Sequence, residues 1–162
     1  MLRVSAYARS VEPHAATQAA EPRANLTAMP HDQIVDDSAP CPCGHAIAYA
    51  QCCQRFLSGH DSPKTAEQLM RSRYSAFVFC DQAYLLSTWH EETRPSKVRF
   101  NDKHRWLGLR IRATEGGGED DVSGVVEYVA RYKVDGKGHR LHEVSRFLKS
   151  EGRWYYRDGE HL

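Results

Sequence analysis

Cys41-Pro42-Cys43-Gly44-His45-Ala46-Ile47-Ala48-Tyr49-Ala50-Gln51-Cys52-Cys53 divides this chain into two unlike parts. Four of the five cysteines fall inside these thirteen residues, spaced as Cys-x-Cys, eight residues, then Cys-Cys. Such spacing is a metal-ligand pattern. A structural zinc takes four soft ligands in a tetrahedron, and thiolates are the usual choice. Cys41 and Cys43 can form a tight knuckle, which Pro42 stiffens and Gly44 lets turn. Residues Gly44 to Gln51 are enough to fold back on it. Ala46 to Gln51 has helix-compatible composition, which puts Cys52 and Cys53 on or at the end of a short helix. Adjacent helical side chains diverge by about 100°. Both reach one ion if it sits between their two directions.

Three other uses of the cysteines compete. Disulfides allow three pairings of four thiols, but they need an oxidising compartment, and the N-terminus lacks the continuous apolar core of a secretion signal. A redox pair would normally read Cys-x-x-Cys. Inert burial does not explain clustering. One structural zinc on Cys41, Cys43, Cys52 and Cys53 accounts for the density of the motif best. His45 is an outside candidate for one ligand position. Cys80 stands apart in an apolar helical stretch and reads as a packed core thiol.

The composition sets the frame for the rest. With 162 residues, 41% hydrophobic and 27% charged, the chain suits one domain and a tail. Its 22 basic and 21 acidic residues nearly cancel, to +1, so no global pull toward nucleic acid or anionic membrane is expected. No run approaches the roughly 18 apolar residues of a membrane span. Clustered thiols and no visible export signal point to a cytoplasmic protein. Residues 1–39, rich in Ala, Pro, Glu and Gln and without periodicity, read as a disordered extension. Translation could start at Met1 or at Met29. Residues 40–60 form the zinc-binding motif and residues 61–162 an α+β domain.

Beyond the cysteines the hydrophobic period is helical, then switches to two. Gly59 ends the short helix. Thr65 and Gln68 make a capping box for a helix from Ala66 to about Phe79, with Ala66, Leu69, Met70, Tyr74 and Phe77 on its apolar side and Arg73 among them. Asp81 caps a second helix running through Trp89, and Arg94-Pro95 breaks it. Leu107, Leu109, Ile111 and Ala113 then alternate with polar residues. Glu115 to Asp121 reads as a solvated turn. Strands follow at Gly124–Val134, Leu141–Lys149 and Arg153–Arg157, joined at Asp135-Gly136 and Glu151-Gly152. Helices first and an antiparallel meander after them is an α+β layout: helices packed on a curved sheet, closing a cone with an internal pocket.

The Cys-Pro-Cys-Gly opening, Tyr49 and the closing Cys52-Cys53 resemble the SEC-C motif, a zinc-binding element named from the tail of the bacterial secretion ATPase. His45 to Ala48 and Ala50 replace the basic loop usual in that motif, which weakens any contact with acidic partners. Further blocks extend the resemblance. Leu69–Phe77, Thr88-Trp89-His90, the strand from Gly124, Leu141–Phe147 and the segment from Gly152 together resemble the YchJ-like family of bacterial proteins. That family joins a SEC-C motif to a cone-shaped, cystatin-like domain similar to nuclear transport factor two. The resemblance implies the fold and the zinc, and no reaction.

Candidate pocket residues are Arg73, Glu127, Glu143 and His142. Strand alternation puts Glu143, Ser145 and Phe147 on one face, and His142, Val144 and Arg146 on the other. If Glu143 faces the helix, Arg73 is its natural partner, since a buried charge needs a bonded counter-charge. This pair reads first as a structural ion pair and second as a carboxylate beside a substrate-anchoring arginine. His142 and His90 are candidate general bases by chemistry alone, against the commoner use of such histidines at the surface or in structural hydrogen bonds. A four-thiolate zinc is coordinatively closed and would not activate water. The leading reading is therefore a non-catalytic accessory or adaptor protein, its knuckle docking an unknown protein partner, with links to export or translation. A small enzyme or ligand binder using the cone pocket is the alternative. Nucleic-acid binding through Arg55, Lys64, Arg71 and Arg73 comes third.

Overall fold

The computed structural model describes residues 36–162, all within one unit, Gln33–Leu162. Of the expected disordered extension, residues 1–39, the part up to residue 35 lies outside the described residues, as does the choice of Met29 as start. Asp36–Ala39 form a turn bonded to the knuckle, with Tyr49 N donating to Ala39 O at 2.8 Å and Ala50 N to Asp37 O at 3.2 Å. Helices α1 (Gln54–Leu57), α2 (Ala66–Val78) and α3 (Gln82–Ser87) precede four strands: β1 (His104–Gly116), β2 (Ser123–Val134), β3 (Lys137–Ser150) and β4 (Arg153–His161). The strands form one antiparallel meander in the order β1-β2-β3-β4. The expected α+β architecture is therefore present, with α2 packed on the curved sheet.

Helix α2 starts where its sequence says. Thr65 Oγ1 accepts from Gln68 N at 3.1 Å, and Gln68 Oε1 accepts from Lys64 N at 2.8 Å. The second bond closes the box one residue earlier than the usual pattern. The helix then buries more than one side. Ala66, Leu69, Met70, Arg73 and Tyr74 are covered, and so are Ser72 and Ser75. Ser72 Oγ donates to Leu69 O at 2.9 Å and lies 2.7 Å from Tyr84 Oη of α3, so the hydroxyl is bonded where helix meets helix. A hydrophobic stripe alone does not reveal such small polar contacts.

The end of α2 corrects the expectation for Cys80. This residue lies beyond the helix, with φ 56°, and is half-buried. Asp81 N bonds to Ala76 O at 2.8 Å and Cys80 N to Phe77 O at 3.4 Å, the two bonds of a Schellman ending. Cys80 thus occupies the left-handed position that glycine normally fills. Asp81 Oδ1 then accepts from Tyr84 N at 2.9 Å and caps α3.

Helix α3 is shorter than expected. It stops at Ser87 because the following backbone pairs with β4 instead. His90 N donates to Tyr156 O at 2.8 Å and Tyr156 N to Thr88 O at 2.9 Å, which covers part of an open sheet edge.

Two bulges in β1 correct its facing. Trp106 pairs with Tyr132 but Gly108 with Arg131; Ile111 pairs with Tyr128 but Ala113 with Glu127. Leu107 and Arg112 are the extra residues. Leu109 and Ile111 face the core as expected, whereas Leu107, 49% exposed, and Ala113 turn outward. Bulges also add twist, and here they help the sheet curl round α2.

The loop at Glu115–Asp121 is not simply solvated. Glu115 and Gly116 continue β1, and Gly117 is buried. Gly117 O accepts from Ala66 N at 2.9 Å, and a Cβ on Gly117 would sit 2.7 Å from the Ala66 methyl. The glycine lets the loop close over the first turn of α2. At the other sheet edge, Trp154 Nε1 donates to Lys64 O at 2.9 Å, so β4 holds the same helix end.

Candidate metal centre and interior cavity

The knuckle is built by backbone bonds. Pro40 and Ala48 form an isolated antiparallel bridge. Cys41 N bonds to Ile47 O at 3.0 Å, and Gly44 N returns to Cys41 O at 3.2 Å. Gly44 has φ 87°, a left-handed conformation costly for any residue with a Cβ. A Cβ there would also stand 2.9 Å from Leu109 O of β1. The turn and its approach to the sheet both need glycine.

Cys52 and Cys53 sit at a joint rather than along one helix. A 3-10 turn spans Tyr49–Gln51; Cys52 leaves the helical region at φ −108°, ψ −104°; Cys53 is the N-cap of α1. This break lets neighbouring side chains converge. The Sγ atoms of Cys41, Cys43, Cys52 and Cys53 all lie within 4.8 Å of one another. Cys43 and Cys52 are 3.6 Å apart, and Cys52 and Cys53 are 3.9 Å apart. A disulfide would measure about 2.05 Å. Sulfurs about 2.3 Å from one tetrahedral zinc stand about 3.8 Å from each other. The four buried thiols therefore have the spacing to hold a metal ion.

Helix α2 supplies the surroundings of the centre. Arg71 donates to Cys43 O at 2.9 Å and to Glu67 at 2.8 Å. Ser75 Oγ is 3.8 Å from Cys41 Sγ. His45 stands outside the thiol group, its Nδ1 at 3.8 Å from Cys52 Sγ. Burial and the charge of Cys43 push the Cys52 thiol up to about 12. Cys53 is also pushed up, first by its hydrogen bonds to Cys41 and Cys43, while bonds from Cys43 and Cys53 hold Cys41 down. Four thiolates so close repel one another, and a divalent cation removes that conflict.

The arginines expected near the knuckle do not form one basic face. Arg73 is 2% exposed, Arg71 is bonded as above, and Arg55 covers Phe56 and pairs with Asp61 at 3.3 Å.

The four pocket candidates split between the two faces of the sheet. Glu127 and His142 meet on the outer face at 2.7 Å, away from α2. Glu143 and Arg73 face inward, yet no ion pair joins them. Arg73 Nη1 donates to Leu85 O and Thr88 Oγ1, both at 2.8 Å. Its guanidinium lies against Trp89 and Tyr156, 4.9 and 4.6 Å from the ring centres. Glu143 accepts instead from Ser145 Oγ at 2.6 Å and Tyr156 Oη at 3.3 Å, and meets His161 Nε2 at 3.0 Å. The expected Arg73–Glu143 pair is replaced by contacts through Tyr156, because the aromatic ring fills the space between helix and strand. Burial draws the Arg73 pKa down to about 10, with nearby tyrosines and Glu143 opposing; it stays charged at neutral pH.

Arg73, Tyr74, Trp89, Trp106, Tyr128 and Glu143 are among the residues lining a cavity of about 280 Å³. His161 and Gly159 were not singled out from sequence. A Cβ on Gly159 would overlap the Glu143 carboxylate, so this glycine makes room for it. A period of two carried past Tyr156 points Asp158 and Glu160 inward; a bulge at Arg157 shifts the register and brings Gly159 and His161 opposite Ser145 and Glu143 instead.

Comparison with known proteins agrees with this architecture. Residues 65–159 match the family described as YchJ, middle NTF2-like domain. A UPF0225 protein of Chromobacterium violaceum is 50% identical over 125 residues, spanning 75% of this chain and 92% of the relative. Another from Streptomyces coelicolor is 47% identical over 123 residues, spanning 76% and 96%. The solution structure of a SEC-C motif containing protein from Rhodopseudomonas palustris superposes with TM-score 0.67 at 32% identity, covering 76% of this chain and 99% of that one. A crystal structure of a SEC-C motif containing protein from Psychrobacter arcticus gives 0.62 at 25% identity, over 76% and 82%.

Proposed function

We propose that this chain, which belongs to the YchJ-like family, holds one structural zinc ion through Cys41, Cys43, Cys52 and Cys53. The observation that carries this reading is the set of sulfur separations, near 3.8 Å and within 4.8 Å throughout. A soft four-sulfur set suits zinc, whereas calcium and magnesium take oxygen. With four protein ligands the ion has no open position for water, so its contribution is to tie elements together. The elements tied are the knuckle and α1. The knuckle shares a core with α2 and the sheet through Tyr49, Leu69, Met70 and Leu109, and Leu57 of α1 packs against that core.

This closed centre supports an accessory role in a reducing compartment such as the cytoplasm, with the knuckle as a docking element for a protein partner. Ile47, 47% exposed on the knuckle, is an apolar side chain that such a partner would cover. Elemental analysis of the purified full chain tests the metal. One zinc per chain, lost in Cys52→Ser, is the expected result. A metal-free chain under reducing conditions, or intact-mass detection of two disulfides in the native protein, would overturn it.

A further inference from the structure

Arg73 is a buried cation with no carboxylate bonded to it among the described residues. Its Nη1 serves Leu85 O and Thr88 Oγ1. A guanidinium carries five N–H groups, and those on Nε and Nη2 make no hydrogen bond to the described protein. Arg73 lines the cavity between α2 and the sheet. So does Trp89, whose indole Nε1 is a buried donor with no partner among the described residues. Native buried donors are almost always bonded. Two incompletely bonded donors on one cavity point to acceptors that come from outside the chain.

We infer that this cavity binds a small carboxylate with an aromatic or compact apolar body. The unbonded polar groups on the cavity are donors, whereas the Glu143 carboxylate already meets Ser145, Tyr156 and His161. Planar guanidinium N–H groups match the two oxygens of a carboxylate, and the indole N–H adds a further donor. Met70, Tyr74, Phe77, Trp106 and Tyr128 line the remainder of the space, which suits a ring. At about 280 Å³ the cavity lies at the small end of ligand pockets, which begin near about 300 Å³. His161 is exposed beside Glu143 and marks a side open to solvent. This inference is independent of the metal centre.

The test is titration of the full chain, with its metal retained, by benzoate and phenylacetate. Benzamide and toluene are the uncharged controls. Calorimetry and tryptophan fluorescence are the readouts, since Trp89 and Trp106 line the cavity. Saturable binding of a carboxylate at least about tenfold tighter than benzamide is expected, a difference of about 1.4 kcal/mol. Arg73→Lys should weaken it about tenfold or more through loss of the planar fork. Trp89→Phe keeps a ring in place and removes the donor, and it should weaken binding severalfold. If Arg73→Lys does not fold, Trp89→Phe decides. Absence of saturable binding by both carboxylates would mean that solvent alone satisfies the donors and would overturn the inference. Equal binding of benzamide or toluene, or unchanged binding in Trp89→Phe, would do the same.

Discussion

Arg73 reaches Glu143 through Tyr156: the guanidinium lies 4.6 Å from the ring centre, and the ring's hydroxyl donates to the carboxylate at 3.3 Å. The two charges are therefore coupled weakly. Urea denaturation of Arg73→Met, Glu143→Gln and the double variant should give a coupling energy below about 1 kcal/mol. A directly bonded buried pair would lose about 3–5 kcal/mol when one partner is removed, and a coupling of that size would refute the arrangement. Arg73→Met alone should still cost about 2 kcal/mol or more, through its lost bonds to Leu85 and Thr88.

Gly44→Ala tests how the metal centre is tied to the sheet. A Cβ meets Leu109 O at 2.9 Å and the backbone sits at φ 87°. The left-handed conformation alone costs about 1–2 kcal/mol. The variant should melt lower and lose the proposed zinc to a chelator at lower chelator concentration than the parent. Unchanged melting and unchanged zinc retention would show that the knuckle turns without that constraint.

Cys80→Gly should stabilise the protein. Cys80 holds the Schellman position at φ 56°, where glycine is strain-free. The gain should be about 1 kcal/mol, read as a higher urea midpoint at unchanged zinc content. Cys80→Ala should gain nothing, because its Cβ suffers the same clash. Equal effects of the two substitutions would point to the thiol and away from the backbone.

Alkaline pH should unfold the protein through its buried tyrosines. Burial raises Tyr74 and Tyr84 to about 12, and raises Tyr49, Tyr128 and Tyr156 further. A phenol whose folded pKa exceeds its unfolded value, near 10, contributes stability that is full below pH about 10. That stability is lost as pH rises through about 12. Arg73 has the opposite sign: its folded pKa lies below the unfolded one, so its burial penalty eases over the same range. Five tyrosines outweigh one arginine. Tyrosinate absorbance from these residues should rise together with the loss of circular dichroism; full ionisation in a still-folded chain would contradict the burial.

The cysteine cluster, the helix starts at Thr65 and Asp81, the meander and the α+β class are legible from residue order. Each is local: a cap, a turn residue or a side-chain period reads within a few positions. Spacing brought Cys41 and Cys43 together with Cys52 and Cys53, but the helical break that makes the last two converge was settled by folding. The rest came from contacts between elements far apart in the chain. Bulges at Leu107 and Arg112 changed which residues β1 buries, because one added residue reverses the phase of a strand. Backbone pairing of Thr88 and His90 with Tyr156 ended α3 early. Above all, Arg73 and Glu143 were both legible as inward-facing charges, yet the ring of Tyr156, from a strand more than eighty positions after the helix begins, stands between them. Which neighbours a buried charge meets depends on the volumes packed around it, and those come from elements distant in the chain.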